Sequence, residues 1–175
     1  IATGSRIMPK KIPGLEQGAE TFYTEAGAIK MFKALREFEG GKVGIVVGVP
    51  HKCPIAPVEV TFSLHDYFKA RGIRDKVSMK YHYPINRIHS IENVAKWAQP
   101  EFDRMGVEYE TLFNVEEVDV EVHLRVARMI LQEALPVDLR EAAVAQELLP
   151  GEEAVLVAQV VELVGLVKAA PPDPK

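Results

Sequence analysis

The sequence predicts an α/β fold: a parallel sheet of three or more strands with connecting helices, followed by a mostly helical C-terminal tail. Three observations carry this. Apolar runs of strand length alternate with amphipathic segments of helical period between residues 24 and 113. Glycines punctuate the ends of those segments, at Gly40-Gly41 and Gly72. Every aromatic residue lies between Phe22 and Phe113, so the bulky side chains that anchor a core are confined to that part of the chain.

Taken in order, "TEAGAIKMFKALREFE" (24–39) reads as a helix with Thr24 as N-cap and Ile29, Phe32, Leu35 and Arg36 at helical spacing. Residues 42–49, "KVGIVVGV", read as a buried strand. Pro57 to Arg71 read as an amphipathic helix, with Val58, Phe62, Leu64, Tyr67 and Phe68 on one side. "KVSMKYHY" (76–83) reads as a second strand. "SIENVAKWAQPEFDRMG" (90–106) reads as a helix with Ser90 as N-cap and a break or kink at Pro100. "VEYETLF" (107–113) reads as a third strand. Strand, helix, strand, helix, strand is half of a doubly wound, Rossmann-like domain, and the right-handed crossover rule puts its strands in one parallel sheet.

The last 55 or so residues differ. By count, residues 1–120 carry 16 basic and 16 acidic side chains, and residues 121–175 carry 5 and 9, so the net charge of -4 sits wholly in the tail. "VDVEVHLRV" (118–126) alternates as a strand would, whereas residues 138–149 and 152–168 are helix-compatible and separated by "PG" at 150–151. "AAPPDPK" at the end reads as disordered. The expected division is 1–23 as a segment ending in a linker, 24–119 as the Rossmann-like domain, 120–168 as a helical tail and 169–175 as its disordered end.

Composition excludes several functions. A mildly acidic chain with no Lys/Arg-rich run gives no footprint for nucleic acid. One cysteine builds neither an internal disulfide nor a multi-cysteine metal site, and no metal is expected. The opening "IATGSR" lacks the layout of an export signal, and "AVLVAQVVELVGLV" (154–167) is too short to span a bilayer and carries Glu162, so a cytoplasmic location is expected.

The chemistry concentrates in "GVPHKCPIAPVE" (48–59), which follows the first clear strand and leads into a helix. Ligands of open parallel sheets sit beyond the carboxyl ends of the strands, so Cys53 stands where chemistry is done. The positive end of the following helix and the charge of Lys52 favour its thiolate. Glu59, in the first helical turn, is a proton-acceptor candidate. Pro50, Pro54 and Pro57 stiffen the loop. Against this stands the plainer reading of a lone cysteine as a small buried hydrophobe. His51 reads as a solvated side chain and His89 as a partly exposed loop histidine. A G-x-G-x-x-G cradle is absent from the turn, so NAD(P) binding at this sheet is not expected.

These residues resemble a known family. "IATGS" (1–5) is similar to the A-T-G segment of two-dinucleotide-domain flavoproteins, and "KIPGLEQGAETFYTEAGAIKMFKAL" (11–35) resembles the linker and helix that follow it. "VPHKCPIAPVE" (49–59) resembles the active-site loop of the sulfide:quinone oxidoreductase and flavocytochrome c sulfide dehydrogenase branch of the FAD-dependent pyridine nucleotide-disulfide oxidoreductases. "GIRDKV" (72–77) before an apolar strand also fits.

The resemblance covers about residues 1–119 and implies the second dinucleotide-like domain of such an enzyme at 24–119, with 1–23 as the remnant of its FAD domain and the linker. It implies Cys53 as a redox cysteine that carries sulfur as a persulfide, with Glu59 as acid/base. It implies FAD as cofactor of the complete protein, approached by Thr3 and Gly4, with Pro50 and Lys52 bordering the site. His89, matched across a gap, falls near a histidine of the quinone region. Sulfide or a related sulfur compound and a quinone are the implied partners, with peripheral membrane association of the parent enzyme; homo-oligomerisation is left open.

The sequence departs from that family in lacking the N-terminal FAD-binding glycine motif, the partner cysteine and the C-terminal membrane-docking helices. The expectation is therefore a fragment, inactive alone, whose reading frame changes near residue 120, or else a fusion. The alternatives are an NADH-dependent flavoprotein fragment and a non-catalytic α/β interaction module.

Overall fold

The structure, a computed structural model, describes residues 6–51, 53–118, 154–159 and 161–162. Its centre is a four-stranded, all-parallel sheet made of β2 (Gly41–Val47), β3 (Val77–Tyr83), β4 (Val107–Thr111) and β5 (Ala154–Gln159), in the order β4-β3-β2-β5. The chain builds outward from β2 to β3 and β4 on one side and then returns to the other side of β2. A short antiparallel pair joins β1 (Arg6–Ile7) to β6 (Val161–Glu162).

The predicted α/β class, with a parallel sheet of at least three strands, is the one found. The helical reading of residues 154–159 and 161–162 is corrected: they are strands β5 and β6. A short, unbroken apolar run fits a buried parallel strand and a buried helix equally by periodicity, and its enrichment in Val is the feature that favours the strand. The strand read at 118–126, the helix at 138–149 and the disordered end at 169–175 lie outside the described residues, apart from Val118.

The helices follow the sequence with adjusted ends. Helix α1 (Leu15–Gly18) is one turn. Helix α2 (Glu25–Glu37) is capped as expected, the Thr24 hydroxyl accepting from the Gly27 N–H at 3.1 Å. Its packing is not as expected. Ile29 and Phe32 are 64% and 54% exposed, and the helix meets the core through Leu35 and Met31 instead. Its apolar residues lie on more than one side, so spacing alone left the buried side open. Helix α3 (Ala56–Ala70) buries Val58, Leu64 and Phe68, with Phe62 and Tyr67 packed at the edge.

Helix α4 (Glu92–Met105) buries Ala95, Ala98, Phe102 and Met105, spaced three and four apart. It starts after Ile91 with no side-chain cap, so Ser90 is not its N-cap. It also runs unbroken through Pro100. Pro100 and Lys96, whose carbonyl loses its helical donor, are both exposed, so the missing bond lies on the solvent side of the helix. Gly106 ends α4 in the left-handed conformation.

The sheet has two unlike faces. Val43, Ile45 and Val47 of β2 and Val77, Met79, Tyr81 and Tyr83 of β3 pack against the α3 and α4 core. On the opposite face Val46 meets Leu15, Val115 and Val118. That layer depends on Gly14: a β-carbon there would stand 1.7 Å from the Val118 carbonyl oxygen, and the Val118 N–H donates to Pro13 O at 2.9 Å. Two arginines lock the periphery. Arg71 donates to the carbonyls of Leu35 and Phe38 at the end of α2, each at 2.6 Å. Arg74 donates to His65 Nδ1, to Val77 O and to Met105 O, tying α3, β3 and α4 together.

Candidate functional site at the carboxyl end of the sheet

The order β4-β3-β2-β5 places a topological switch point between β2 and β5, where successive connections leave the sheet in opposite directions. The loop after β2, residues 48–55, leaves from that point. It turns through a cis Val49–Pro50 peptide bond and enters α3 with Pro57 in the first turn. Thr61 Oγ1 donates to Pro57 O at 2.7 Å and fixes the start of that helix. No side chain caps α3, so the N–H groups of its first turn point toward the loop.

Cys53 is half-buried on this loop. Its carbonyl lies 3.5 Å from the Tyr23 hydroxyl, at the outer limit of a hydrogen bond. Pro50 is exposed at the turn, and Glu59 is exposed on the first turn of α3. Lys52, Thr3 and Gly4 lie outside the described residues. Of the sequence-predicted site residues, Cys53, Pro50 and Glu59 are therefore gathered around one strand–helix junction.

The two histidines are not as read from the sequence. His51 is not simply solvated: its Nε2 is 2.9 Å from the hydroxyl of Tyr83, a fully buried side chain at the end of β3. His89 is not partly exposed but 1% exposed. Its Nδ1 accepts the Ile91 N–H at 3.0 Å. Burial pushes its pKa down, against the pull of the Ile91 carbonyl 3.4 Å from the same Nδ1, and the N–H donation to Nδ1 puts the proton of the neutral ring on Nε2. That Nε2 is buried with no partner among the described residues. Arg87 brackets the turn, donating to His89 O and Ser90 O. Segments rich in Ser, Asn and Pro are read as surface loops, which is why sequence reasoning exposed His89.

Sequence reasoning also passed over Tyr81 and Tyr83, which stack with ring centroids 5.9 Å apart. The Tyr81 hydroxyl is buried without a partner among the described residues, and burial pushes its pKa well above the usual value. Their alternation with Ser78 and Lys80 was visible as strand patterning, but nothing local marked the Tyr83 hydroxyl as a partner of His51 in the Cys53 loop.

A second charged group lies on the opposite face of the sheet. Lys80 Nζ is 3.0 Å from Glu110 Oε2, and His82 Nδ1 is 3.4 Å from the same oxygen without hydrogen-bond alignment. The His82 ring and the Lys80 ammonium hold the Glu110 carboxyl at about 2, against the cost of its partial burial.

The junction does not fit the diphosphate of FAD or NAD(P). A diphosphate site needs a glycine turn with several converging backbone N–H groups. Here Pro50, Pro54 and Pro57 carry no N–H, and they occupy three of the positions from which such donors would come. No group of His, Cys, Asp and Glu among the described residues has the arrangement of a metal site. No helix among them is long and apolar enough to cross a membrane.

No protein-family model matches the chain, and no curated protein matches it. Solved structures do. The sulfide:quinone oxidoreductase of the hyperthermophilic bacterium Aquifex aeolicus superposes with a TM-score of 0.69 at 18% identity, over 90% of this chain and 34% of that one. A ferredoxin reductase from Rhodopseudomonas palustris gives 0.58 at 12% identity, over 91% and 33%. NDH2 from Plasmodium falciparum in complex with NADH gives 0.54 at 18% identity, over 67% and 28%. The chain thus spans about a third or less of the length of these proteins, and its fold is the one they share: a parallel, Rossmann-like α/β unit of the kind found in sulfide:quinone oxidoreductase and related redox enzymes.

Proposed function

We propose that the chain is a portion of an FAD-dependent oxidoreductase of the sulfide:quinone type, and that Cys53 is its sulfur-carrying thiol. The observation that carries this reading is the position of Cys53: a half-buried thiol on a proline-stiffened loop leaving the central strand at the switch point of the sheet. The fold shared with a sulfide:quinone oxidoreductase supports it. The uncapped start of α3 favours negative charge on the loop, which suits a thiolate or persulfide.

In this reading Glu59 takes up protons released at Cys53, from the exposed side of the junction. The buried Nε2–H of His89 is a donor for a quinone carbonyl oxygen. FAD and quinone belong to the complete protein. Thr3, Gly4, Pro50 and Lys52 would border the cofactor, and the proline loop offers no cradle for its diphosphate.

The test needs neither flavin nor quinone. With inorganic polysulfide, the Cys53 thiolate attacks a sulfur atom and forms a persulfide, and a polysulfide dianion shorter by one sulfur leaves. The intact mass of the 175-residue chain should rise by one sulfur atom, reversibly with a thiol reductant, and Cys53→Ser should gain none. A wild-type chain that takes up no sulfur sinks the reading. Stabilisation of the chain by NADH in a thermal melt would favour a nicotinamide-binding function instead.

A further inference from the structure

Tyr83 reaches across from β3 to the loop that leaves β2. Its hydroxyl lies 2.9 Å from His51 Nε2, a hydrogen bond whichever of the two atoms donates. The two ends of this bond differ in how they are held. The Tyr83 ring is fully buried and stacks on Tyr81 at 5.9 Å, and Tyr81 packs in turn on Phe102 of α4 at 5.1 Å. Tyr83 therefore belongs to the core and does not move with the loop. His51 is half-buried on the loop itself, two residues before Cys53. Pro50 and Pro54 bound that stretch and narrow its backbone freedom, so fixing the His51 side chain restricts Cys53 as well. The other contact to the loop, from the Tyr23 hydroxyl to the Cys53 carbonyl, is 3.5 Å long and is the weaker tether. Packing alone does not require the Tyr83 hydroxyl, because a phenylalanine fills the same space.

We propose that Tyr83 is a positioning residue: through His51 it pins the loop to the carboxyl end of β3 and keeps Cys53 ahead of the first turn of α3. This rests on the reading of Cys53 as the sulfur-carrying thiol. A pinned loop holds anionic sulfur before the uncapped start of α3, which favours negative charge, whereas a loose loop does so for only part of the time.

Two readouts on the full chain test this. Tyr83→Phe, which removes only the hydroxyl, should speed amide hydrogen exchange in the 48–53 loop about tenfold, the scale of one lost hydrogen bond, and leave β3 and α3 unchanged. His51→Ala should do the same, and the double variant should exchange no faster than either single one. His51→Gln, whose amide sets a polar atom near the place of Nε2, should keep the wild-type exchange. Sulfur uptake by Cys53 from inorganic polysulfide should slow about tenfold in Tyr83→Phe and stay near the wild-type rate in His51→Gln, a recovery that loss of an imidazole with a purely packing role would not show.

Unchanged loop exchange in Tyr83→Phe, exchange raised equally throughout the chain, additive effects in the double variant, or an unchanged rate of sulfur uptake from a loosened loop would each overturn the proposal. A wild-type chain that takes up no sulfur fails the reading of Cys53, and loop exchange, which uses no sulfur compound, still reports separately whether Tyr83 anchors the loop.

Discussion

Among the described residues, His89 and Glu110 ionise differently in the folded and unfolded chain below neutral pH. His89 is held below the ordinary histidine value of 6.5 by burial, and His65 is shifted the same way by burial and then by Arg74. As pH falls below 6.5, the unfolded chain binds protons at these positions before the folded chain does. Stability must therefore fall with pH in that window. Glu110 acts lower: its contribution is complete above 4.5 and is lost as pH falls toward about 2. The urea midpoint should drop between pH 7.5 and 5.5, and His89→Asn, which keeps an acceptor for the Ile91 N–H, should drop less. An equal drop in that variant would place the titration elsewhere. None of this was legible in the sequence, because the burial of His89 is made by long-range packing and not by its neighbours in the chain.

At the scale of elements, Arg74 joins the end of α3 to the start of β3 and the end of α4 through carbonyls and His65. Arg74→Ala leaves those acceptors without a partner and should cost about 3 kcal/mol in chemical denaturation. Arg74→Lys should recover only part, because one ammonium does not reproduce the planar fork. A loss within experimental error would mean that water replaces the guanidinium at no cost.

The elements themselves were largely readable. Three strands and three helices appeared where apolar period and glycine stops put them, with ends shifted by one or two residues. What misled was local ambiguity. Ile29 and Phe32 had helical spacing yet lie on the exposed side of α2, and the run at 154–159 lacked any alternation to mark it as a strand. The Cys53 junction was legible because proline, cysteine and the strand–helix change all lie within twelve residues. Tyr83 beneath it was not, because its hydroxyl contact crosses from β3 to His51 in the loop.

For the whole molecule, β5 completes the sheet. It pairs with β2 from Lys42↔Ala154 to Val47↔Gln159 and places the Cys53 loop between neighbouring strands instead of at an edge. A chain ending at residue 153 should expose the β2 edge and unfold at lower urea than the full chain or aggregate. Unchanged stability would show that β5 contributes nothing to the sheet. The proline-bearing junction also predicts that purified chain retains no stoichiometric flavin, read from its visible absorbance; a yellow protein would contradict the poor fit to a diphosphate.

The central claim is that the fold presents Cys53 as a reactive thiol. The most direct measurement is its rate of alkylation by iodoacetamide at neutral pH, compared in the folded chain and in the same chain unfolded in urea. Faster reaction in the folded state is expected, with the uncapped α3 N-terminus facing the loop that carries Cys53. A folded-state rate well below that of the unfolded chain would show a buried structural cysteine and contradict it.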